Sequence, residues 1–307
     1  MGRLESLRVV DPVLTNIARG YSNAEYIGTK LLPIVNVDKE GGQIPLFGKD
    51  AFKVYKTERA LKAASNEANI EGFTTTAYST AEHELAIPLD YREIQESILD
   101  LQKAATDKAM GALQLGLEKE IADIVQDLAT YPSDNKETLT TNQFDDSGSD
   151  PVAIIESAKA TLRSIIGKRP NVMVMGASVF DNLKSHSAIT GLIKYSSLGI
   201  VTLDLLKQIF GIPNIYVGEA IYSDDGSTFS DIWGDNIILA YNTNPSGFAT
   251  TPYEPSFGYV LRKNGHPYVD KYEGEGGKVT YIRATDNFAV KVLGAESAYL
   301  INDVLGS

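Results

Sequence analysis

Cysteine is absent from all 307 residues. That excludes disulfides, thiolate nucleophiles and cysteine-based zinc or iron–sulfur sites. Histidine is scarce, with only His83, His186 and His266. None has HExxH or His-x-His spacing. His83 sits between Glu82 and Glu84, but neighbours in a strand point to opposite faces. Long apolar runs are also missing, and nothing approaches the ~20 residues of a membrane-spanning helix. No membrane partner is expected. The opening Met1-Gly2-Arg3-Leu4-Glu5 leads into a polar stretch and lacks the apolar middle of a signal peptide. Basic residues are outnumbered, 28 against 40 acids, for a net charge of −12. A free-standing nucleic-acid-binding protein carries a basic surface, so that role is disfavoured. An acidic wall that faces DNA without gripping it stays compatible with the charge.

What is present is enough apolar material, 43%, for one large domain or two modest ones. The first forty residues are short, punctuated pieces. Asp11 caps a turn with Pro12 at its first position, and Gly20 ends it. Ser22 and Glu25 have capping-box spacing, with Gly28 as the stop. Pieces this short need something to lie on. Residues 43–57 and 72–89 alternate as two extended segments around a charged stretch, Glu58 to Glu71. They predict a long two-stranded ribbon that packs on a neighbour, since an isolated ribbon is marginal.

A spine helix is expected over 91–129, capped by Asp90 with Glu93 three residues on. Ile94, Ile98, Leu101, Ala105, Ala109, Leu113, Leu117, Ile121, Ile124 and Leu128 form its apolar stripe. If continuous, it spans ~58 Å, longer than the ~50 Å diameter of a compact chain of this size. The molecule is therefore expected to be flat or elongated. After the polar junction Asp145–Asp150 the pattern turns to α/β. It predicts a helix from Pro151, a buried strand at Asn171–Met175, helices at Ala177–Leu183 and Thr202–Phe210, and strands at Ile215–Val217 and Ile237–Ala240. From Phe257 to Ile301 the chain reads as mostly β, with turns at Asn264-Gly265 and Gly274–Gly277.

Catalytic constellations are missing. Gly274-Glu275-Gly276-Gly277-Lys278 fails as a phosphate loop, because Tyr272 stands where the first Gly belongs and Val279 where Ser or Thr belongs. Asp224-Asp225-Gly226 lacks the alternating acids of a calcium loop and reads as a hairpin turn. No Gly-x-Ser-x-Gly elbow is present. Glu118 and Glu120, beside Lys119, read as solvated helix surface. No cofactor, metal or catalytic residue is expected.

Several strings resemble one family of tailed-phage major capsid proteins. They are Asp11-Pro12-Val13-Leu14 through Leu32-Pro33, Arg169-Pro170-Asn171-Val172-Met173-Val174-Met175-Gly176 with Val179-Phe180, Ile193-Lys194-Tyr195 and Phe210-Gly211-Ile212. Tyr216-Val217-Gly218, Ile232-Trp233-Gly234-Asp235 and Pro255-Ser256-Phe257-Gly258-Tyr259 continue the series. No single string is diagnostic, but their order spans nearly the whole chain. The resemblance implies an α+β shell fold shared with encapsulins and the herpesvirus capsid floor. By it, 1–40 is an N-terminal arm and 41–90 an extended β-hairpin loop. Residues 91–150 and 245–307 form a peripheral domain with the spine helix, and 151–244 an α/β axial domain.

The resemblance further implies self-assembly into pentamers and hexamers, an icosahedral head around double-stranded DNA, and assembly in a bacterial cytoplasm. Scaffolding, portal and decoration proteins would be partners, and no enzymatic activity is implied. Intersubunit contacts are expected at Val13, Ile17, Tyr26, Arg59, Lys62, Glu67 and Glu71. Because the chain starts almost at the arm, a separate scaffold or an already mature sequence is expected. Lys49, Lys53, Lys56 and Asn264 are the residue types of a covalent cross-link, with nothing in their spacing to single them out. An encapsulin-type compartment shell is the alternative within the same fold. A soluble α/β ligand-binding protein or hydrolase is the alternative outside it, and it would need a concave pocket with convergent polar groups.

Overall fold

Gly28 opens a helical turn rather than ending one. In the computed structural model, which describes residues 26–45, 57–59, 65–66, 75–193, 201–249, 251–252, 254, 256–274 and 276–306, α1 is Gly28–Leu31. The expected caps at Asp11 and Ser22 lie outside the described residues. β1 (Ile34–Val37) follows and runs parallel to β11 (Gly258–Lys263). β2 (Gly41–Pro45) and β3 (Thr75–Ser79) pair antiparallel as a two-stranded ribbon, the described part of the extended loop. The second expected ribbon strand does not continue to residue 89. Thr80 is a joint, and β4 (Ala81–Asp90) instead pairs over its full length with β13 (Val279–Val292).

The expected spine is two helices. Asp90 and Glu93 form the predicted capping box for α2, Tyr91–Glu96. The chain then turns extended at Ser97, whose hydroxyl bonds both the N–H and the carbonyl of Leu99. Asp100 starts α3, Leu101–Gln126, by accepting from the N–H groups of Gln102 and Lys103. Two local side-chain caps outcompete the apolar stripe at this point, and Ile98 leaves the stripe entirely, with 102% relative exposure. The 26 residues of α3 span ~39 Å. That fits within a compact chain, so helix length no longer argues for a flat molecule.

Two five-stranded sheets organise the rest. One has the order β1-β11-β13-β12 with β4 on the far side of β13, where β12 is Tyr268–Glu273. The other has the order β5-β14-β10-β6-β7. Its strands are β5 (Lys136–Thr138), β6 (Val172–Gly176), β7 (Asn214–Gly218), β10 (Ile237–Ala240) and β14 (Ala298–Asn302). Thus 136–138 and 298–302, expected in the peripheral part, pair into the same sheet as β6, β7 and β10. The remaining helices are α4 (Pro151–Ile166), α5 (Ala177–Ser185), α6 (Ser187–Ile193) and α7 (Leu203–Phe210). α4 starts at Pro151, as the sequence predicts, and Asp150 caps it by accepting from the N–H groups of Val152 and Ala153. β8 (Ile221–Tyr222) and β9 (Ser230–Asp231) make a small hairpin.

Strand alternation sorts the second sheet's side chains into two cores. Met173, Met175, Ile215, Ile237 and Leu239 face one way, onto Ile155, Leu162, Val179, Leu183, Leu206 and Phe210 of the helices. Val172, Val174, Ile238 and Leu300 face the other way. There they meet Leu117, Ile121 and Val125 of α3, and Val260, Phe288 and Val290 of the first sheet. The spine helix therefore joins both sheets in one shared core.

Candidate functional site

Glu118 lies inside that core with only 2% exposure, not on a solvated face as the sequence suggests. Its Oε1 accepts from the N–H of Ile27 at 2.9 Å, the N–H of Gly28 at 3.0 Å and the indole Nε1–H of Trp233 at 2.7 Å. Oε2 accepts from Gly28 N–H at 2.9 Å. The carboxylate thus occupies the N-terminus of α1, where unsatisfied N–H groups favour an anion. Burial pushes its carboxyl above the ordinary range, and the three donors offset only part of that. A Cβ on Gly28 would fall 2.7 Å from Oε2, so the close approach needs glycine. A Cβ on Gly218 would fall 2.1 Å from Trp233 Cδ1. One carboxylate therefore ties residues 27–28, the spine helix and the loop after β9. The signal in the sequence is positional: Glu118 lies three residues before the stripe position Ile121, and seven before the buried Val125, on the same face.

The root of the extended loop is fixed separately. Ile44 of β2 is buried with Val35, Val37, Tyr259, Leu261 and Leu293, and Tyr78 of β3 packs on them. In the turn between β1 and β2, Glu40 pairs with Lys263 and accepts from Asn287 Nδ2 at 3.3 Å. The Lys263 ammonium holds the Glu40 carboxyl below the usual carboxylate range. Asn264 donates to Asp38 across the same turn. Arg262 forms an ion pair with the buried Asp286 at 2.9 Å, and Arg283 bridges Asp270 and Glu84.

Of the seven expected contact residues, two are described. Tyr26 is half-buried and packs against the shared core at the arm root. Arg59 is exposed. Val13, Ile17, Lys62, Glu67 and Glu71 lie outside the described residues, as do Lys49, Lys53 and Lys56. The histidines do not meet. His83 stacks on Phe288 with ring centroids 4.2 Å apart. His266 packs edge-on to Tyr268, and burial lowers its basicity.

His186 stands 3.1 Å from the Ser149 hydroxyl, but the pair is not arranged as nucleophile and base. His186 Nδ1 accepts from the N–H of Ala188, so Nε2 carries the proton and donates it, with the Asp146 carbonyl 3.2 Å away. Asp225 makes the expected turn. It accepts from the N–H groups of Ser227 and Thr228, which hold its carboxyl down to about 2. Among the described residues, no group of three or more acids and histidines could hold a metal ion, and no helix is long and apolar enough to cross a membrane.

The fold is shared with several solved structures. A virus-like particle protein from Pyrococcus furiosus has a TM-score of 0.56 at 11% identity over 94% of this chain and 98% of its own. A phage-related protein from Bordetella bronchiseptica is closer, with a TM-score of 0.82, 31% identity, and coverage of 97% and 98%. In sequence, the chain is 53% identical to the major capsid protein of Burkholderia phage BcepMu over the full length of both, and 30% identical to that of Pseudomonas phage JBD67 over 69% of each. The model of the phage major capsid protein E family matches residues 29–287. The chain belongs to the phage major capsid protein E family. It is a structural protein of the phage shell, located in the capsid of the virion, and it acts by self-assembly.

Proposed function

We propose that copies of this chain form pentamers and hexamers that close an icosahedral head around packaged double-stranded DNA. Full-length identity of 53% to a phage major capsid protein carries this reading. The fold supports it. The ribbon β2–β3 leaves the body with its outer positions exposed, and the arm root is tied down while 25 residues precede it. Residues 1–40 act as the arm and 41–90 as the extended loop. Residues 91–150 and 245–307 act mainly as the peripheral domain, and 151–244 as the axial domain, which also takes in β5 and β14. Val13, Ile17, Tyr26, Arg59, Lys62, Glu67 and Glu71 contribute contacts to neighbouring copies. Assembly takes place in the bacterial cytoplasm with scaffolding, portal and decoration proteins. The net charge of −12 suits a wall that encloses DNA without reading its sequence.

Size-exclusion chromatography followed by negative-stain electron microscopy tests this. Closed shells, or rings of five and six, are expected. A chain that stays monomeric under all conditions and binds a small molecule would overturn it.

A further inference from the structure

The axial sheet carries opposite charges at its two ends. β6 and β7 are parallel, in register from Val172↔Asn214 to Gly176↔Gly218. At their C-terminal end the β8–β9 hairpin protrudes. Residues 219–231 hold four acids (Glu219, Asp224, Asp225, Asp231), all exposed, and no base. At the N-terminal end, α4 finishes and the chain turns into β6. Arg163, Lys168 and Arg169 are exposed there, with no acid among residues 157–180. The two ends are separated by at least the ~17 Å length of five strand residues. They cannot pair within one chain.

The hairpin is also built to be covered. Ile221 and Phe229 are exposed at 51% and 62%. The hairpin holds its shape without a partner, because Asp225 accepts from Ser227 N–H, Thr228 N–H and the Ser223 hydroxyl. Lys119 sits over the Tyr222 ring at 4.6 Å and steadies the base, where it also faces Asp224. Strands of two residues would not stand alone without this bracing.

We infer that the acidic β8–β9 hairpin docks onto the Arg163–Lys168–Arg169 corner of a second copy of this chain. Phe229 and Ile221 make the apolar contact, and the charges set its orientation. The contact joins two different surfaces, so it is head-to-tail and repeats from copy to copy until a ring closes. It rests on the shell reading above and adds the residues that link neighbours within a ring.

Charge reversal of the full chain tests the pairing. One variant carries Arg163→Glu, Lys168→Glu and Arg169→Glu. The second carries Glu219→Lys, Asp224→Lys and Asp231→Lys, leaving the brace Asp225 alone. The third carries all six substitutions. Each three-site variant should melt like the wild type yet need a concentration roughly tenfold higher, or more, to assemble, since like charges then face each other. The six-site chain should assemble again. An equimolar mixture of the three-site variants should give rings of six and no rings of five, because only an even ring can alternate them.

Three-site variants that assemble at the wild-type concentration would overturn the pairing. So would folded variants that fail and are rescued by neither the six-site chain nor the mixture. If a reversal disturbs the melt, Asp224→Asn with Asp231→Asn takes its place, and unchanged assembly of that chain overturns the inference. A wild-type chain that forms no rings or shells would sink the shell reading itself.

Discussion

Glu118 is a buried carboxylate whose described partners are N–H donors rather than a cation. Removing it leaves three buried donors unsatisfied, each costing ~1–3 kcal/mol. Glu118→Ala should therefore lower stability by about 3 kcal/mol or more in denaturant unfolding. The sequence holds one tryptophan, so emission from Trp233 should shift in the same variant. The pH dependence has a definite sign. Burial raises the folded-state carboxyl above its ordinary 4.5, so the folded chain takes up the proton first. Its contribution to stability is full below 4.5 and is lost as pH rises through the raised folded value. Melting curves of wild type and Glu118→Gln across acidic pH should converge or diverge in that sense, wild type gaining relative to the variant as pH falls. Gly218→Ala has no such titration. Its Cβ meets Trp233 at 2.1 Å, and overpacking of this kind costs ~1–3 kcal/mol.

Among the elements, the spine shows local chemistry overriding periodicity. A stripe at steps of three and four continues through Ile94, Ile98 and Leu101, and a helix could run through it. The Ser97 hydroxyl and the Asp100 carboxylate instead satisfy backbone groups at the break. Asp100→Ala should cost about 1 kcal/mol, the usual worth of such a cap. Ile98→Ser should leave the melt unchanged, because Ile98 touches solvent only. A loss of stability in Ile98→Ser would show that the side chain packs after all. The β8–β9 hairpin responds to acid in the opposite sense from Glu118. The Asp225 carboxyl is depressed to about 2, so its bracing is intact above the ordinary 3.8 and is lost only as pH falls through about 2. Protection of the Ser227 and Thr228 amides, relative to the intrinsic exchange rate at each pH, should hold at pH 4 and fall toward pH 2.

At the scale of the molecule, one helix serves both sheets. Leu117, Ile121 and Val125 share one core with strands of each, so the body should unfold in one cooperative transition rather than sheet by sheet. The ribbon β2–β3 packs in a cluster separate from this core. Its root is held by Ile44 and Tyr78, while the described tip residues Thr57, Glu58, Arg59, Ser65 and Asn66 are exposed. Deleting Glu58 to Glu71 should leave far-UV circular dichroism and melting near wild type while shells fail to form. A deletant that lost its fold would contradict that division between a self-sufficient body and a loop used on neighbours.

The sequence by itself determined most elements and the family. Period-2 and period-3.6 apolar patterns reflect local geometry, so the strands at Val172–Gly176 and Ile237–Ala240 and the helix from Pro151 could be read directly. The missing cysteines and the absence of motif spacing likewise needed no structure. Only the tertiary structure decided what long-range contacts decide. Glu118 becomes an anchor because residues 91 and 115 positions away bring N–H groups to it. Residues 81–90 leave the ribbon because β13 offers ten antiparallel partners. The strand 298–302 joins the other sheet because β10 pairs with it there. The two charged ends of the second sheet are far apart in space because β6 and β7 run parallel. In each case the deciding partner is distant in the chain, and no local pattern encodes where folding will place it.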